Sequence, residues 1–199
     1  MRIAGIFSGI GSIEFGLAKK GHKAVLLCES DDAASAVLAT RFPETPRIGD
    51  VRGVRSLPPC DLVTAGFPCQ DLSQCGLTKG IYGRSSSVVR EVVRLLESAS
   101  QRPEWVLFEN VPFMLKLHRG KAIAFLTREL ERLGYHWAYR TVNSLGFGVP
   151  QRRLRVVLLA SRAQNPCNVL FADDSRVEHV ALAKEAFGFY WTEGLPGLG

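Results

Sequence analysis

An α/β fold on a mostly parallel sheet, with an antiparallel hairpin at one edge, is what this sequence predicts. Three observations predict it. Short apolar runs alternate with segments of helical spacing, the βαβα order that covers a parallel sheet with helices on both faces. The first run ends in a glycine-rich turn that opens a helix. The last two runs follow one another without a helical segment, so they pair antiparallel.

Taken in order, the expected strands are Ile3–Phe7, Ala24–Cys28, Leu62–Ala65, Val106–Phe108, Trp137–Asn143 and Val156–Ala160. Between them, Ser12–Lys20, Asp31–Arg41, Ser87–Ser98 and Lys121–Leu133 carry helical periodicity. In the last helix Ala122, Phe125, Leu126, Leu130 and Leu133 share one face, and Gly134 supplies a stop. Two connections are long for a compact domain, Gly66 to about Ser86 and Asn143 to Arg155; loops of that length are usually functional. After Ser161 the pattern fades, so residues 1–161 read as one catalytic domain and 162–199 as an irregular tail.

The 199 residues are 46% hydrophobic, enough for one proper core. No apolar run approaches the roughly 18 residues of a membrane span, and the chain opens directly on a strand, so no signal peptide is expected. Five cysteines (Cys28, Cys60, Cys69, Cys75, Cys167) without CxxC spacing argue for a reduced cytoplasmic protein, not a disulfide framework or a zinc site. The four histidines show no metal-ligand spacing. A net charge of +6 suits a polyanionic partner. Arg152, Arg153 and Arg155 cluster, and Arg84, Arg90 and Arg94 line a second region. On charge alone, a solvated basic face and a nucleic-acid contact explain them equally well.

The turn Phe7-Ser8-Gly9-Ile10-Gly11-Ser12 lets a ligand approach the backbone at the head of a helix. Glu29 closes the second strand, where an acid accepts bonds from ribose hydroxyls. Asp50 stands near the expected end of a third strand, placed to accept from an adenine amino group. A dinucleotide site, and with it an oxidoreductase, is the competing reading. However, Glu14 occupies the place of the third glycine in GxGxxG, so a nucleoside cofactor without pyrophosphate fits better.

Cys69 follows the expected strand Leu62–Ala65, in Gly66-Phe67-Pro68-Cys69-Gln70. That is the edge where open α/β sheets bind ligands, and a thiol there is a candidate nucleophile. Most single cysteines are small buried hydrophobes instead, and Cys28 and Cys60, which flank strands, read as core.

With these pieces assembled, the chain resembles the DNA cytosine-5 methyltransferases from Arg2 to about Ser161. Phe7-Ser8-Gly9-Ile10-Gly11 is similar to that family's S-adenosylmethionine motif. Gly66-Phe67-Pro68-Cys69-Gln70 is similar to its nucleophile motif, with Asp71-Leu72-Ser73 following in the catalytic loop. Glu109-Asn110-Val111 resembles the motif that grips the target base, and Gln151, Arg153 and Arg155 match Gln-x-Arg-x-Arg. The resemblance implies a Rossmann-like S-adenosylmethionine-dependent methyltransferase fold. It assigns the cofactor to Phe7, Ser8, Gly9, Gly11, Ser12, Ile13, Glu29, Ser30, Asp50, Val51, Gly66 and Pro68. Catalysis falls to Cys69, Glu109, Arg153 and Arg155. Cytosine or DNA contact falls to Gln70, Ser73, Arg84, Asn110, Val111 and Gln151.

The implied chemistry is addition of Cys69 to C6 of a flipped cytosine in duplex DNA, methylation at C5, and release of the thiol. Glu109, held near neutral by burial, would bond N3 and the exocyclic amine. Arg153 would reach the base O2, and Arg155 would position Glu109 or the loop. A nucleoid-associated, cytoplasmic place follows from that substrate. Restriction-modification and an orphan methylase stay equally open.

The sequence departs from the family at its carboxyl end, where the target-recognition region and the last cofactor-pocket motif are not visible. A shortened polypeptide, a degenerate gene and one subunit of a split enzyme remain open, the last with a second chain supplying those parts. A catalytically incompetent fragment that binds cofactor or DNA weakly is the alternative to an enzyme.

Overall fold

The computed structural model describes residues 1–67 and 86–172. Within them a seven-stranded sheet runs in the order β3-β2-β1-β4-β5-β7-β6. Its strands are β1 (Arg2–Ile6), β2 (Lys23–Cys28), β3 (Arg47–Ile48), β4 (Leu62–Ala65), β5 (Trp105–Asn110), β6 (His136–Asn143) and β7 (Leu154–Ser161). The first five are parallel to one another, while β7 lies antiparallel to both β5 and β6. The α/β class and the antiparallel edge are therefore as the periodicity predicts.

The helices are α1 (Ser12–Ala18), α2 (Asp32–Arg41), α3 (Ser86–Ser98), α4 (Phe113–Lys116), α5 (Lys121–Arg132) and α6 (Pro166–Leu170). In α3 the buried Val89, Val92, Val93 and Leu96 repeat at three- and four-residue spacing, and Leu126 and Leu130 do the same in α5. These pack against Ala4, Ile6, Leu26, Cys28, Val63, Ala65, Val106 and Phe108 to form the main core. On the other side, Leu38 of α2 closes over Leu27 and Ala24. Deep burial of a Leu or Phe side chain stabilises by about 1.5–3 kcal/mol, so this core fixes the sheet that carries the loops.

Two differences from expectation matter. First, β5 continues to Asn110, so Glu109 lies within the strand. The reason is that β5 is flanked on both sides, and Glu109 and Asn110 pair with Val157 and Val156 of β7. Second, the segment after Ser161 is not irregular throughout. Asn165 caps α6 by accepting from the Cys167 N–H, Pro166 takes the first turn, and Arg140 Nη1 donates to the Leu170 carbonyl at 2.8 Å.

Topology also locates the crevice. From β1 the sheet grows through β2 to β3 on one side and through β4 to β5 on the other. The carboxyl ends of β1 and β4 thus border the switch point where such sheets bind ligands. Among the described residues no helix is long and apolar enough to cross a membrane.

Candidate active site at the carboxyl edge of the sheet

The turn after β1 is tightly specified. Phe7, Gly9 and Gly11 all have positive φ, at 57°, 53° and 75°, and Phe7 is a bulky residue in a region that disfavours side chains. Gly11 is needed twice over: a Cβ there would lie 2.7 Å from Leu38 and Phe42 of the α2 region. Among the described residues nothing lies within 4 Å of a Cβ position at Gly9, so they leave its backbone open to an approaching ligand. The turn is closed by Gly11 N–H to the Ser8 carbonyl (2.8 Å) and tied to β2 by Ser8 N–H to the Cys28 carbonyl (3.0 Å).

Glu29 serves this turn from the end of β2. Its Oε2 accepts from Gly9 N–H at 2.7 Å and its Oε1 from Asp31 N–H at 2.9 Å. The carboxylate expected to meet a ribose therefore also shapes the loop, and each oxygen keeps a lone pair for a further donor. Asp50 is exposed and clamped by Arg52, with Nε and Nη2 both on its carboxylate, and those bonds hold its carboxyl below the usual range. Val51 is buried beside it, Ser12 and Ser30 are exposed, and Ile13 is half-buried.

On the far side of the switch point, Glu109 of β5 meets Arg155 of β7, with Nε 2.7 Å from Oε1. The strand register brings them together: Glu109 pairs with Val157, two residues from Arg155. Glu109 is 30% exposed and Arg155 22%. Burial is thus incomplete at Glu109, and a guanidinium partners it. Gly66 links the two walls. A Cβ there would lie 3.4 Å from the Phe7 carbonyl and 3.8 Å from Glu109 Oε2.

Asn110 is 4% exposed, and its amide is committed to the backbone. Nδ2 donates to the Phe67 carbonyl at 3.1 Å, and Oδ1 accepts from Val111 N–H at 2.8 Å. Expected as a substrate contact, it also pins the end of β4 to the end of β5. Phe67 is further held by an edge-on contact with Phe108, ring centroids 6.0 Å apart. The chain thus leaves for residue 68 from a fixed point.

In the connection from β6 to β7, Ser144–Phe147 forms a short helical turn. Asn143 Oδ1 accepts from the Leu145 and Arg153 amides, and Ser144 Oγ donates to the Gln151 carbonyl at 2.8 Å. These bonds return the chain to β7 with Gln151, Arg152 and Arg153 exposed. Arg94 of α3 is otherwise engaged, bonding Glu91 and the carbonyls of Val51 and Val54, and Arg90 lies over the Phe125 ring. Pro68, Cys69, Gln70, Ser73 and Arg84 lie outside the described residues.

Burial removes two other cysteines as nucleophiles. Cys28 is pushed up to about 12 by burial and then by the charges of Glu29 and Asp50. Cys60 is pushed up to about 11, again mainly by burial. Sequence reasoning missed Glu14, Thr64 and Gly5. Glu14 is 2% exposed, and its Oε1 accepts from the Thr64 hydroxyl at 2.6 Å. The available signals were an acid where a third glycine would stand and a glycine in mid-strand. Among the described residues no group of three or more His, Cys, Asp or Glu is placed to hold a metal.

Residues 1–188 match the family model for C-5 cytosine-specific DNA methylase. The chain belongs to that family. It is 49% identical over 211 residues to the Type II methyltransferase M2.BsuMI of Bacillus subtilis, covering all of this chain and 53% of that protein. It is 32% identical to the Type II methyltransferase M.BanI of Aneurinibacillus aneurinilyticus, over 94% of this chain and 46% of the relative. This C-5 methylase chain therefore spans about half the length of the curated relatives it matches. Among solved structures, the Entamoeba histolytica methyltransferase EhMeth superposes with a TM-score of 0.68 at 17% identity, covering 82% of this chain and 53% of the other. The S. pombe Dnmt2 methyltransferase gives 0.66 at 20%, over 83% and 51%. These two show the fold, that of S-adenosylmethionine-dependent methyltransferases. Family and fold together make S-adenosylmethionine the implied cofactor, and the open backbone at Gly9 with the acid at Glu29 fits it.

Proposed function

We propose that this chain transfers a methyl group from S-adenosylmethionine to C5 of a cytosine in duplex DNA, through a covalent adduct at Cys69. The observation that carries the reading is the meeting at Gly66: the cofactor turn approaches from Phe7 and the acid from Glu109, and the chain departs there toward Cys69. A cytosine ring lodged at that point would lie between the cofactor turn and the acid.

When bound, the cofactor supplies a methyl group on a sulfonium, an electrophile for carbon. Cytosine C5 is a weak nucleophile until the ring is activated, so Cys69 adds to C6 and an electron pair moves toward C5 and N3. Glu109 donates to N3, where charge develops, and accepts from the exocyclic amine. Arg155, bonded to its Oε1, fixes the direction of that carboxyl. Arg153 reaches O2, while Gln151 and Val111 border the base. Once C5 is methylated, loss of its proton breaks the C6–S bond and returns Cys69. The base must leave the stack first, at a cost of a few kcal/mol. Gln70, Ser73 and Arg84 then contact the displaced nucleotide or its phosphates. Glu29, Ser30, Asp50, Val51, Ser12, Ile13, Ser8, Gly11 and Pro68 complete the cofactor side, with Asp50 freed from Arg52 to meet an adenine. Such a protein works beside DNA in the cytoplasm.

Duplex DNA carrying 5-fluorocytosine tests this. Fluorine does not leave as a proton does, so the expected result is a denaturant-stable adduct that needs S-adenosylmethionine and disappears in Cys69→Ser. The trial is run with the chain alone and with a second polypeptide supplying the part of the relatives beyond its match. No adduct in either arm defeats the proposal; an adduct only in the second makes the chain a component of a larger enzyme.

A further inference from the structure

Beneath the cofactor turn lies a buried acid that the chemistry above does not use. Glu14 of α1 sits over β1 and β4, where Gly5 and Thr64 are register partners. A Cβ on Gly5 would lie 2.5 Å from both Glu14 Oε1 and Ser8 Oγ, so the strand is hollowed by one methyl group to seat the carboxyl and the serine together. Thr64 donates to Oε1. Glu14 Oε2 and Ser8 Oγ are the two buried side-chain polar atoms without a hydrogen-bond partner among the described residues.

We propose that Glu14 is a positioning residue for the cofactor turn, its carboxyl joining Thr64 of β4 to Ser8 and so holding Phe7–Gly11 in the shape that receives S-adenosylmethionine. A carboxylic acid accepts at one oxygen and donates from the other. Oε1 takes the Thr64 proton, and Oε2–H is the donor that the neighbouring Ser8 Oγ lacks. Burial favours that neutral form, raising Glu14 above its ordinary value and outweighing the opposing hydrogen bond from the Thr64 hydroxyl. Among the described residues no charged side chain is one of the groups acting on it. The turn needs such a hold because Phe7 at φ 57° resists its own conformation.

The cofactor half of this proposal rests on the function proposed above, so the test reads the turn separately. Amide exchange is followed at Gly9 and Gly11, with Phe108 of β5 as the reference for global opening. In Glu14→Ala and in Thr64→Val, exchange at Gly9 and Gly11 rises about tenfold or more, the scale of one lost buried hydrogen bond, while Phe108 changes less. Glu14→Gln, which keeps an acceptor and a donor, stays within about threefold of the parent. Calorimetry with S-adenosylmethionine shows the same ranking in Kd. Unchanged exchange at the two glycines, exchange rising only in step with Phe108, or a Gln variant as impaired as the Ala variant overturns the proposal. If Glu14→Ala does not fold, Thr64→Val carries the test. A parent protein that binds no S-adenosylmethionine sinks the cofactor reading, and the amide exchange still decides the turn.

Discussion

Two glutamates at one edge of the sheet live in opposite surroundings. Glu14 is sealed under the first turn, touched by hydroxyls and no charge, and burial raises its titration. Glu109 stands 30% exposed at the end of β5 with a guanidinium on its carboxylate. The same side chain is a tie in one place and a group presented to the crevice in the other. What differs is solvent and partner. An acid with no charge beside it is worth most as a neutral hydrogen-bonding strut, while an ion-paired acid at a strand end can meet a substrate without unfolding its surroundings.

The largest test of that contrast is at Glu109. Glu109→Gln keeps the shape and is expected to lower the methylation rate about 10²-fold or more, the scale of general acid–base and charge-stabilising groups. Stability and S-adenosylmethionine binding stay near the parent; a rate within threefold would erase the distinction. At Glu14 the effect falls on the turn more than on global folding. Glu14→Ala leaves the Thr64 hydroxyl without its acceptor, and urea titration should show a global loss of no more than about 1 kcal/mol. Gly5→Ala attacks the same seat from below, and the added methyl should cost about 1–3 kcal/mol by overpacking. A neutral result there would mean that the carboxyl and Ser8 move aside freely.

The smallest effect is a pH drift. Glu14 has a folded value raised above its ordinary 4.5, so its contribution to stability is complete below that ordinary value and is lost as pH rises through the folded one. Urea midpoints of parent and Glu14→Gln should therefore diverge with rising pH, the variant gaining on the parent. Midpoints that stay parallel from pH 5 to 8 contradict a neutral, buried Glu14.

Much of the site was legible before the fold. Glycines at positions 9 and 11, the acid at 29 and the ordered blocks around Cys69, Glu109 and Arg155 are one-dimensional signals, because each sits at the end of a periodic run. Asn110 was legible as a member of its block but not as a brace, since its partners Phe67 and Val111 depend on β4 lying beside β5. Helix α6 was hidden because five residues are too few to show a period, and its cap and its contact with Arg140 hold it.

By itself the sequence determined the class of the sheet, its antiparallel edge, the family and the glycine turn after the first strand. Alternating apolar periods, glycine spacing and motif order are written along the chain, and they survive without any knowledge of contacts. Only the tertiary structure decided which acid is sealed and which is offered. That depends on the register that sets Gly5 against Thr64 and Glu109 against Val157, two residues from Arg155, since burial and pairing are properties of neighbours that the chain brings together from far apart.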